Sequence, residues 1–278
     1  MSQKSYNGVS TLYLIATPIG NMQDITYRAI ETLKEVEVIF SEDTRVTGQL
    51  LKHFDIKKKL ISNDQHKESK NKLKLIEYLK NGYNVGLVTD RGTPIVSDPG
   101  YELVKYAIEQ EYNVVAIPGA TALIPALITS GITTEPFTFF GFLNSKETKR
   151  KKELEEIKKM KTTLIFYEAP HRILETLNNI LEILGNRNIA VCREITKKYE
   201  EIYRGKVTDV IKKIVDIKGE IVIVVEKDNT PVSYDISIIE HINLYIKEGM
   251  NSKEAIKQVA IDRGIPKSIV YNEYHGGW

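Results

Sequence analysis

Leu87-Val88-Thr89-Asp90-Arg91-Gly92-Thr93-Pro94-Ile95-Val96-Ser97-Asp98-Pro99-Gly100 decides the fold class of this chain. Its apolar start closes a short run, Asn84 to Thr89, that reads as a buried strand. Two glycines, two prolines and two aspartates follow, which make a rigid loop with backbone amides and carboxylates turned toward a crevice. Ser97 or Asp98 is then placed to cap a helix running through Ile108. The same strand, turn and helix grammar recurs on either side. Thr11–Thr17, Val36–Ser41, Lys59–Ser62 and Asn113–Ile117 read as strands with helical periodicity between them, the signature of βαβ units and a mainly parallel sheet. In such sheets the loops leaving the carboxyl ends of the strands form the ligand crevice. Attention therefore falls on Thr17–Asn21, Glu42–Arg45, Asp90–Gly100 and Pro118–Thr121.

Further from that centre, Asp24 is placed to cap the helix through Lys34, with Ile25, Ala29, Ile30 and Leu33 at helical spacing. An apolar helix is expected over Ala120–Thr129. Gly131–Leu143, with Pro136 and four phenylalanines, has neither the helical nor the strand period and reads as a connection between domains. A charged helix, Lys146–Lys161, opens a second unit with strands over Thr162–Tyr167, Asn188–Glu194 and Glu220–Glu226 and a further antiparallel strand at Glu200–Gly205. Past Asp228 the pattern is helical: Ser237–Glu248, Ser252–Arg263 stopped by Gly264, and a short helix opened by Pro266. Two short helices around a turn with glycine admit a helix-turn-helix that touches nucleic acid, or a purely structural pair. The expected organisation is an N-terminal α/β domain at 1–130, a C-terminal α/β domain at 131–228 and a helical appendage at 229–278.

Composition narrows the function. At 278 residues the chain has room for two compact domains at about 100–200 residues each. No apolar run reaches the roughly 18 residues of a membrane span, and Met1–Ser10 has no signal-peptide core, so a cytoplasmic protein without a membrane role is expected. The single cysteine, Cys192, reads as a buried thiol without disulfide or metal partners, and no metal site is expected. With 39 basic and 37 acidic side chains the net charge is only +2, so contact with nucleic acid must rest on local lysine clusters: 57–59, 67–74, 146–161 and 197–198.

Two common nucleotide motifs are absent. Ala16-Thr17-Pro18-Ile19-Gly20-Asn21 has one glycine and no G-x-G-x-x-G, and no Walker motif occurs. The ordered set of Thr17-Pro18-Ile19-Gly20-Asn21, Asp24-Ile25-Thr26, Glu42-Asp43-Thr44-Arg45, Gly92-Thr93-Pro94, Ser97-Asp98-Pro99-Gly100, Pro118-Gly119-Ala120-Thr121-Ala122 and Phe166-Tyr167-Glu168-Ala169-Pro170-His171-Arg172 resembles the 16S rRNA cytidine 2'-O-methyltransferase family. The resemblance runs from about Leu12 to Glu226, and more weakly through the helical tail. It implies a two-domain α/β fold of the tetrapyrrole-methylase-like class, S-adenosyl-L-methionine in a cleft between the domains, a homodimer, and 16S rRNA or the small ribosomal subunit as partner. It further implies cofactor contacts from Pro18, Gly20, Asp90, Gly92, Thr93, Pro94, Thr121, Ala122, Ala169 and Pro170, with Gly219, Glu220 and Ile221 as the remaining wall. Arg91 departs from the pattern, which has a small residue before the glycine; inside the cleft it would crowd the cofactor or meet an RNA phosphate, outside it little would change.

Methyl transfer from a sulfonium to a ribose hydroxyl is an in-line displacement, so holding the reacting atoms in line is the main demand, with help from a general base or a cation beside the forming alkoxide. Glu42, Asp43 and Arg45 are the candidate catalytic residues, with Glu168 beside them, because they follow strands on the crevice side. Asp43 and Arg45 also suit a local salt bridge, and Glu168 a hydrogen-bonding role at its strand end. Arg28, Arg45, Lys67, Lys70, Arg172 and the 146–161 helix are candidate phosphate contacts; His66 and His171 read as surface or structural residues, and His171 with Arg172 also suits a phosphate. Phe137, Phe139, Phe140 and Phe142 suit either stacking on an unpaired base or core packing. Two rivals remain on the sequence alone: a small-molecule methyltransferase acting on a tetrapyrrole, and a noncatalytic RNA-binding or ribosome-assembly protein.

Overall fold

A computed structural model describes residues 2–64, 67–229 and 236–276. They form two compact units, 1–227 and 228–278. His66 lies outside the described residues.

The first unit opens with alternating strands and helices: β1 Thr11–Ile15, α1 Tyr27–Glu35, β2 Val38–Ser41, α2 Thr44–His53, β3 Lys59–Ser62, α3 Glu68–Lys80, β4 Val85–Val88, α4 Tyr101–Glu109, β5 Asn113–Ile117 and α5 Leu123–Thr129. The five strands form one parallel sheet in the order β3-β2-β4-β1-β5. β2 and β4 are buried along their whole length, which is why both read as continuous apolar runs rather than as alternating ones. Helices cover both faces: Leu75, Leu79, Leu103 and Ala107 pack on one side and Ala29, Leu33 and Leu51 on the other.

The second half of this unit holds β6 Phe137–Phe142, α6 Glu147–Ile157, β7 Thr163–Glu168, α7 Ile173–Leu184, β8 Asn188–Arg193, β9 Glu201–Lys206, α8 Val207–Lys213 and β10 Ile221–Val225. Its sheet runs β6-β7-β10-β8-β9; only β6 and β7 are parallel. α6, α7 and α8 cover one face. On the other, Ala126 and Leu127 of α5 pack with Ile19 against Ile165, Ala190, Cys192 and Val222, so the two sheets are joined by shared core. Burial pushes the Cys192 thiol up to about 11, which fits an inert packed side chain.

Four local expectations are corrected. Gly131–Leu143 is no mere connection: it supplies β6, whose register shifts between Phe139 and Gly141 and so breaks the two-residue period. Gly141 has a φ of 68°, and a Cβ there would come within 2.8 Å of Ser97 Oγ. Asp24 closes a short 3-10 turn instead of capping a helix; Thr26 Oγ1 accepts from Ala29 N at 3.1 Å and caps α1. Neither Ser97 nor Asp98 caps α4, because Gly100 holds the cap position at a φ of 132°. The Glu68 carboxylate, brought by α3, accepts from Gly100 N and Glu102 N at 2.8 and 2.9 Å in their place. Finally, α5 begins three residues later than expected, which leaves 118–122 as irregular backbone at the strand exit.

In the second unit, α9 Ile238–Lys247, α10 Ser252–Arg263 and α11 Lys267–His275 enclose Ile242, Ile256, Val259 and Val270. Ser237 and Glu240 form a reciprocal capping box on α9, and Gly264, at a φ of 63°, ends α10. No helix among the described residues is long and apolar enough to cross a membrane.

Candidate active site

Four strand exits of the first sheet are stitched together by short polar contacts. Thr17 and Gly92 exchange backbone hydrogen bonds at 2.9 and 3.1 Å, and the Thr17 hydroxyl donates to Thr89 O at 3.2 Å. This ties the exits of β1 and β4. Thr89 Oγ1 donates to Glu42 Oε2 at 2.8 Å, and Asp43 N donates to Asp90 Oδ1 at 3.0 Å, tying β4 to β2. Thr93 Oγ1 donates to Ala120 O at 3.2 Å, tying β4 to β5. Each bond is worth about 1 kcal/mol, but together they fix four loops as one wall.

The facing wall comes from the second sheet: Tyr167–Pro170 at the end of β7, Ile195 after β8, and Gly219–Val222 at the start of β10. Between the walls lies a cavity of about 610 Å³, within the range of small-molecule sites. Asp90, Gly92, Thr93, Thr121 and Ala122 line it from the first sheet, with Glu42. Ala169, Pro170, Gly219, Glu220 and Ile221 line it from the second. Pro18 and Gly20 line a smaller adjoining cavity of about 210 Å³, which shares Val46, Thr89, Asp90 and Arg91 with the first. Pro94, Asp43 and Arg45 line neither.

Asp43 and Arg45 instead form the salt bridge that their spacing allows, at 2.6 Å, while the Asp43 carboxylate accepts from Arg45 N and caps α2. The hydrogen bonds from Arg45 hold the Asp43 carboxyl down at about 2. Glu168 is buried and saturated by Arg172 Nε, Thr176 Oγ1 at 2.5 Å and its neighbour's amide, Ala169 N, at 2.7 Å. Arg172 also donates from Nη2 to Leu143 O at 3.0 Å, so two of its three guanidinium nitrogens are committed to the fold. Arg28 is likewise engaged, with Ala116 O at 3.1 Å, and Lys67 with Asp64 at 2.6 Å. Lys70, Lys149, Lys152 and His171 remain exposed. Phe139 and Phe140 pack into the core; Phe142, 57 % exposed and 5.7 Å from the Tyr167 ring, is the one that reaches the cavity.

Sequence reasoning passed over Thr89, Tyr167 and Ile195 as cavity residues, and placed Asp98 in a crevice loop without giving it a role in the chemistry. Asp98 was legible as an acid in a crevice loop, but its neighbours could be read as a helix cap. Burial, with Glu42 and Asp90 nearby and against a Thr89 hydrogen bond, lifts the Asp98 carboxyl to about 6. Burial also raises Asp90 and the Tyr167 phenol.

Arg91 lines the cavity and pairs with Glu220 of the facing wall, which also holds Lys197 Nζ at 2.6 Å. Since Arg91 and Glu220 are both about half exposed, with side-chain exposures of 52 % and 55 %, the pair is worth about 0–1 kcal/mol. Arg91→Ala is therefore expected to leave the urea midpoint nearly unchanged; a loss above about 2 kcal/mol would show that the strap holds the two walls together.

Residues 11–211 match the tetrapyrrole (corrin/porphyrin) methylase family. The chain is 48 % identical over 285 residues to ribosomal RNA small subunit methyltransferase I of Halalkalibacterium halodurans, covering 99 % of both chains. It is also 48 % identical to the protein of that name in Bacillus subtilis, covering 98 % of both. Among solved structures it resembles uroporphyrin III C-methyltransferase from Thermus thermophilus, with a TM-score of 0.55, 18 % identity, and 78 % of this chain and 97 % of that one covered. A cobalt precorrin-4 methyltransferase gives a TM-score of 0.59 at 17 % identity, covering 78 % of this chain and 94 % of the other. The first wall of the cavity and the second as far as Ile195 fall within residues 11–211, and the full-length likeness takes in Gly219–Val222 and the helical unit: the chain belongs to the tetrapyrrole methylase family and, within it, to the ribosomal RNA small subunit methyltransferase I proteins.

Proposed function

We propose that this protein uses S-adenosylmethionine to methylate the ribose 2'-hydroxyl of a cytidine in the 16S rRNA of the small ribosomal subunit, acting as a cytoplasmic homodimer. The observation that carries the reading is the 48 % identity over 99 % of both chains to a ribosomal RNA methyltransferase. The tetrapyrrole methyltransferases match at 17–18 % and cover only 78 % of this chain, so they support the fold alone. The division into domains at 1–130 and 131–228 with an appendage at 229–278 belongs to the same proposal.

The cavity residues fit the cofactor. Ile19, Ile195 and Val222 offer apolar surface to a nucleoside, while Glu42 and Asp90 offer carboxyl groups to a ligand that is cationic at its sulfonium and amino end. Gly92 leaves no room to spare, since a Cβ there would stand 3.1 Å from Ile19 Cγ2. In this reading Asp90, Gly92, Thr93, Pro94, Thr121 and Ala122 hold the cofactor from the first sheet. Ala169, Pro170, Gly219, Glu220 and Ile221 hold it from the second, and Pro18 and Gly20 close the adjoining side. The bound cofactor supplies an electrophilic methyl group. The protein's part is to hold the ribose oxygen in line with it and to exclude water, which accounts for a wall built from four mutually bonded loops. Glu42 faces this cavity; Asp43 and Arg45 order the loop behind it.

The test is transfer of labelled methyl from S-adenosylmethionine to small ribosomal subunits from cells lacking this gene, with the modified nucleoside identified by mass spectrometry. 2'-O-methylcytidine is the expected product. Cofactor binding without RNA labelling would overturn the assignment in favour of a small-molecule substrate, and RNA binding without cofactor binding in favour of a noncatalytic protein.

A further inference from the structure

Five carboxyl groups line the large cavity: Glu42, Asp90, Asp98, Glu168 and Glu220. Four are already engaged. Glu168 is saturated by Arg172, Thr176 and Ala169 N. Glu220 is held by Arg91 and Lys197. Asp90 accepts from the Asp43 amide, and Glu42 from the Thr89 hydroxyl. Asp98 is the exception: among the described residues no cation and no backbone amide binds it, and its hydrogen-bonding neighbour is Thr89. The Thr89 hydroxyl, which donates to Glu42 at 2.8 Å, therefore stands between the two carboxyl groups and links them, and its hydrogen bond to Asp98 favours the carboxylate, the form that accepts a proton.

We propose that Asp98 is the catalytic proton acceptor for the ribose hydroxyl, and that Thr89 and Glu42 form the path by which the proton leaves. The proposal rests on the functional reading above. In the step, the ribose oxygen forms the new O–C bond while the S–C bond of the sulfonium breaks with its electron pair going to sulfur. The hydroxyl proton passes to the Asp98 carboxylate. Products are the ribose methyl ether, a neutral thioether and a protonated Asp98, so one positive and one negative charge disappear together and the cavity gains no net charge.

The surroundings suit this exchange. Thr89 stands at the end of β4, Glu42 after β2, Asp90 on Asp98's own loop, and Tyr167 faces it from β7 with its hydroxyl near Thr121. Burial and two acids, against the Thr89 hydrogen bond, leave Asp98 titrating at about 6, close enough to neutrality to hold a proton after the step yet mostly anionic before it. A cationic ligand reverses the repulsion from Glu42 and Asp90, so cofactor binding near pH 6 drives a proton off Asp98.

The experiment compares the full-length protein with Asp98→Asn and Asp98→Glu. Calorimetric titration with S-adenosylmethionine at pH 6, in two buffers of different ionisation enthalpy, counts protons released on binding; single-turnover methylation of small subunits gives the rate. Wild type should release a larger fraction of a proton than Asp98→Asn, which should bind the cofactor within about tenfold of wild type and so report a folded site. Its methylation rate should fall by about 10²–10⁴-fold and lose the decline below pH 6, with partial recovery in Asp98→Glu. Equal proton release in wild type and Asp98→Asn, or an Asp98→Asn rate within tenfold of wild type, overturns the assignment of Asp98 alone. A wild-type protein that binds cofactor but labels no RNA overturns the functional reading and the ribose role of Asp98 with it.

Discussion

Glu168→Ala is expected to destabilise the first unit by about 3–5 kcal/mol, read as a lower urea midpoint at unchanged slope. The Glu168 side chain is fully buried and Arg172 is only 12 % exposed, so removing the carboxylate strands a guanidinium with little water to replace its partner. Thr176 and Ala169 N lose their acceptor in the same change. Three elements meet at this carboxylate: the end of β7, the short turn at 170–172 and α7. A fourth, the residue after β6, is reached through Arg172 and Leu143 O. Because breaking a buried pair costs more than removing it whole, Glu168→Ala with Arg172→Met should recover part of the loss. A single variant within 1 kcal/mol of wild type would show that water reaches this pair.

The same residue shows where sequence reading stops. Glu168 sits at a strand exit in a motif shared with a methyltransferase family, which made it a candidate base; only the third dimension reveals Thr176 and Arg172 closing around it. Asp43 and Arg45 behave alike, since two residues apart they satisfy each other and a helix cap. Conversely, Asp98 is separated in sequence from Glu42 and Tyr167, and nothing local marks the three as neighbours. Local pattern was most reliable where one force dominates. The β2 and β4 strands are buried on both faces and read as apolar runs, and Gly264 ends α10 where a left-handed residue is needed. It failed at β6, where a register shift removes the period on which strand recognition depends. It failed again at α4, whose cap is a glutamate 32 residues upstream.

The fold thus divides its stability from its function in a definite way. The sheets and their helices are ordinary apolar cores, whereas the cavity wall is held by hydroxyls and amides passed between loops: Thr17, Thr89 and Thr93 each bond to a different strand exit. Such a wall keeps its shape only if every member keeps its backbone conformation.

Gly92→Val tests that statement and is expected to weaken cofactor binding by about 30-fold or more while leaving most of the fold intact. Gly92 has a φ of 87°, and a β-branched side chain in that left-handed region is a steric outlier, costing about 1–2 kcal/mol before any contact is counted. The first added atom would stand 3.1 Å from Ile19 Cγ2 and 3.5 Å from Ala120 O, so the loop has to shift away from both. Its shift breaks the paired bonds with Thr17, each worth about 1 kcal/mol, and moves Asp90 and Thr93 on either side. Together these terms come to about 3–4 kcal/mol, and about 2 kcal/mol of that falling on binding is already a 30-fold change in an equilibrium constant. Gly92→Ala, which keeps the strain but removes the branching, should fall between the variant and wild type in calorimetric affinity for S-adenosylmethionine. If Gly92→Val bound the cofactor as tightly as wild type, the Thr17–Gly92 clasp would be incidental, and the ligand wall would have to be held by the Thr89 and Thr93 bonds alone.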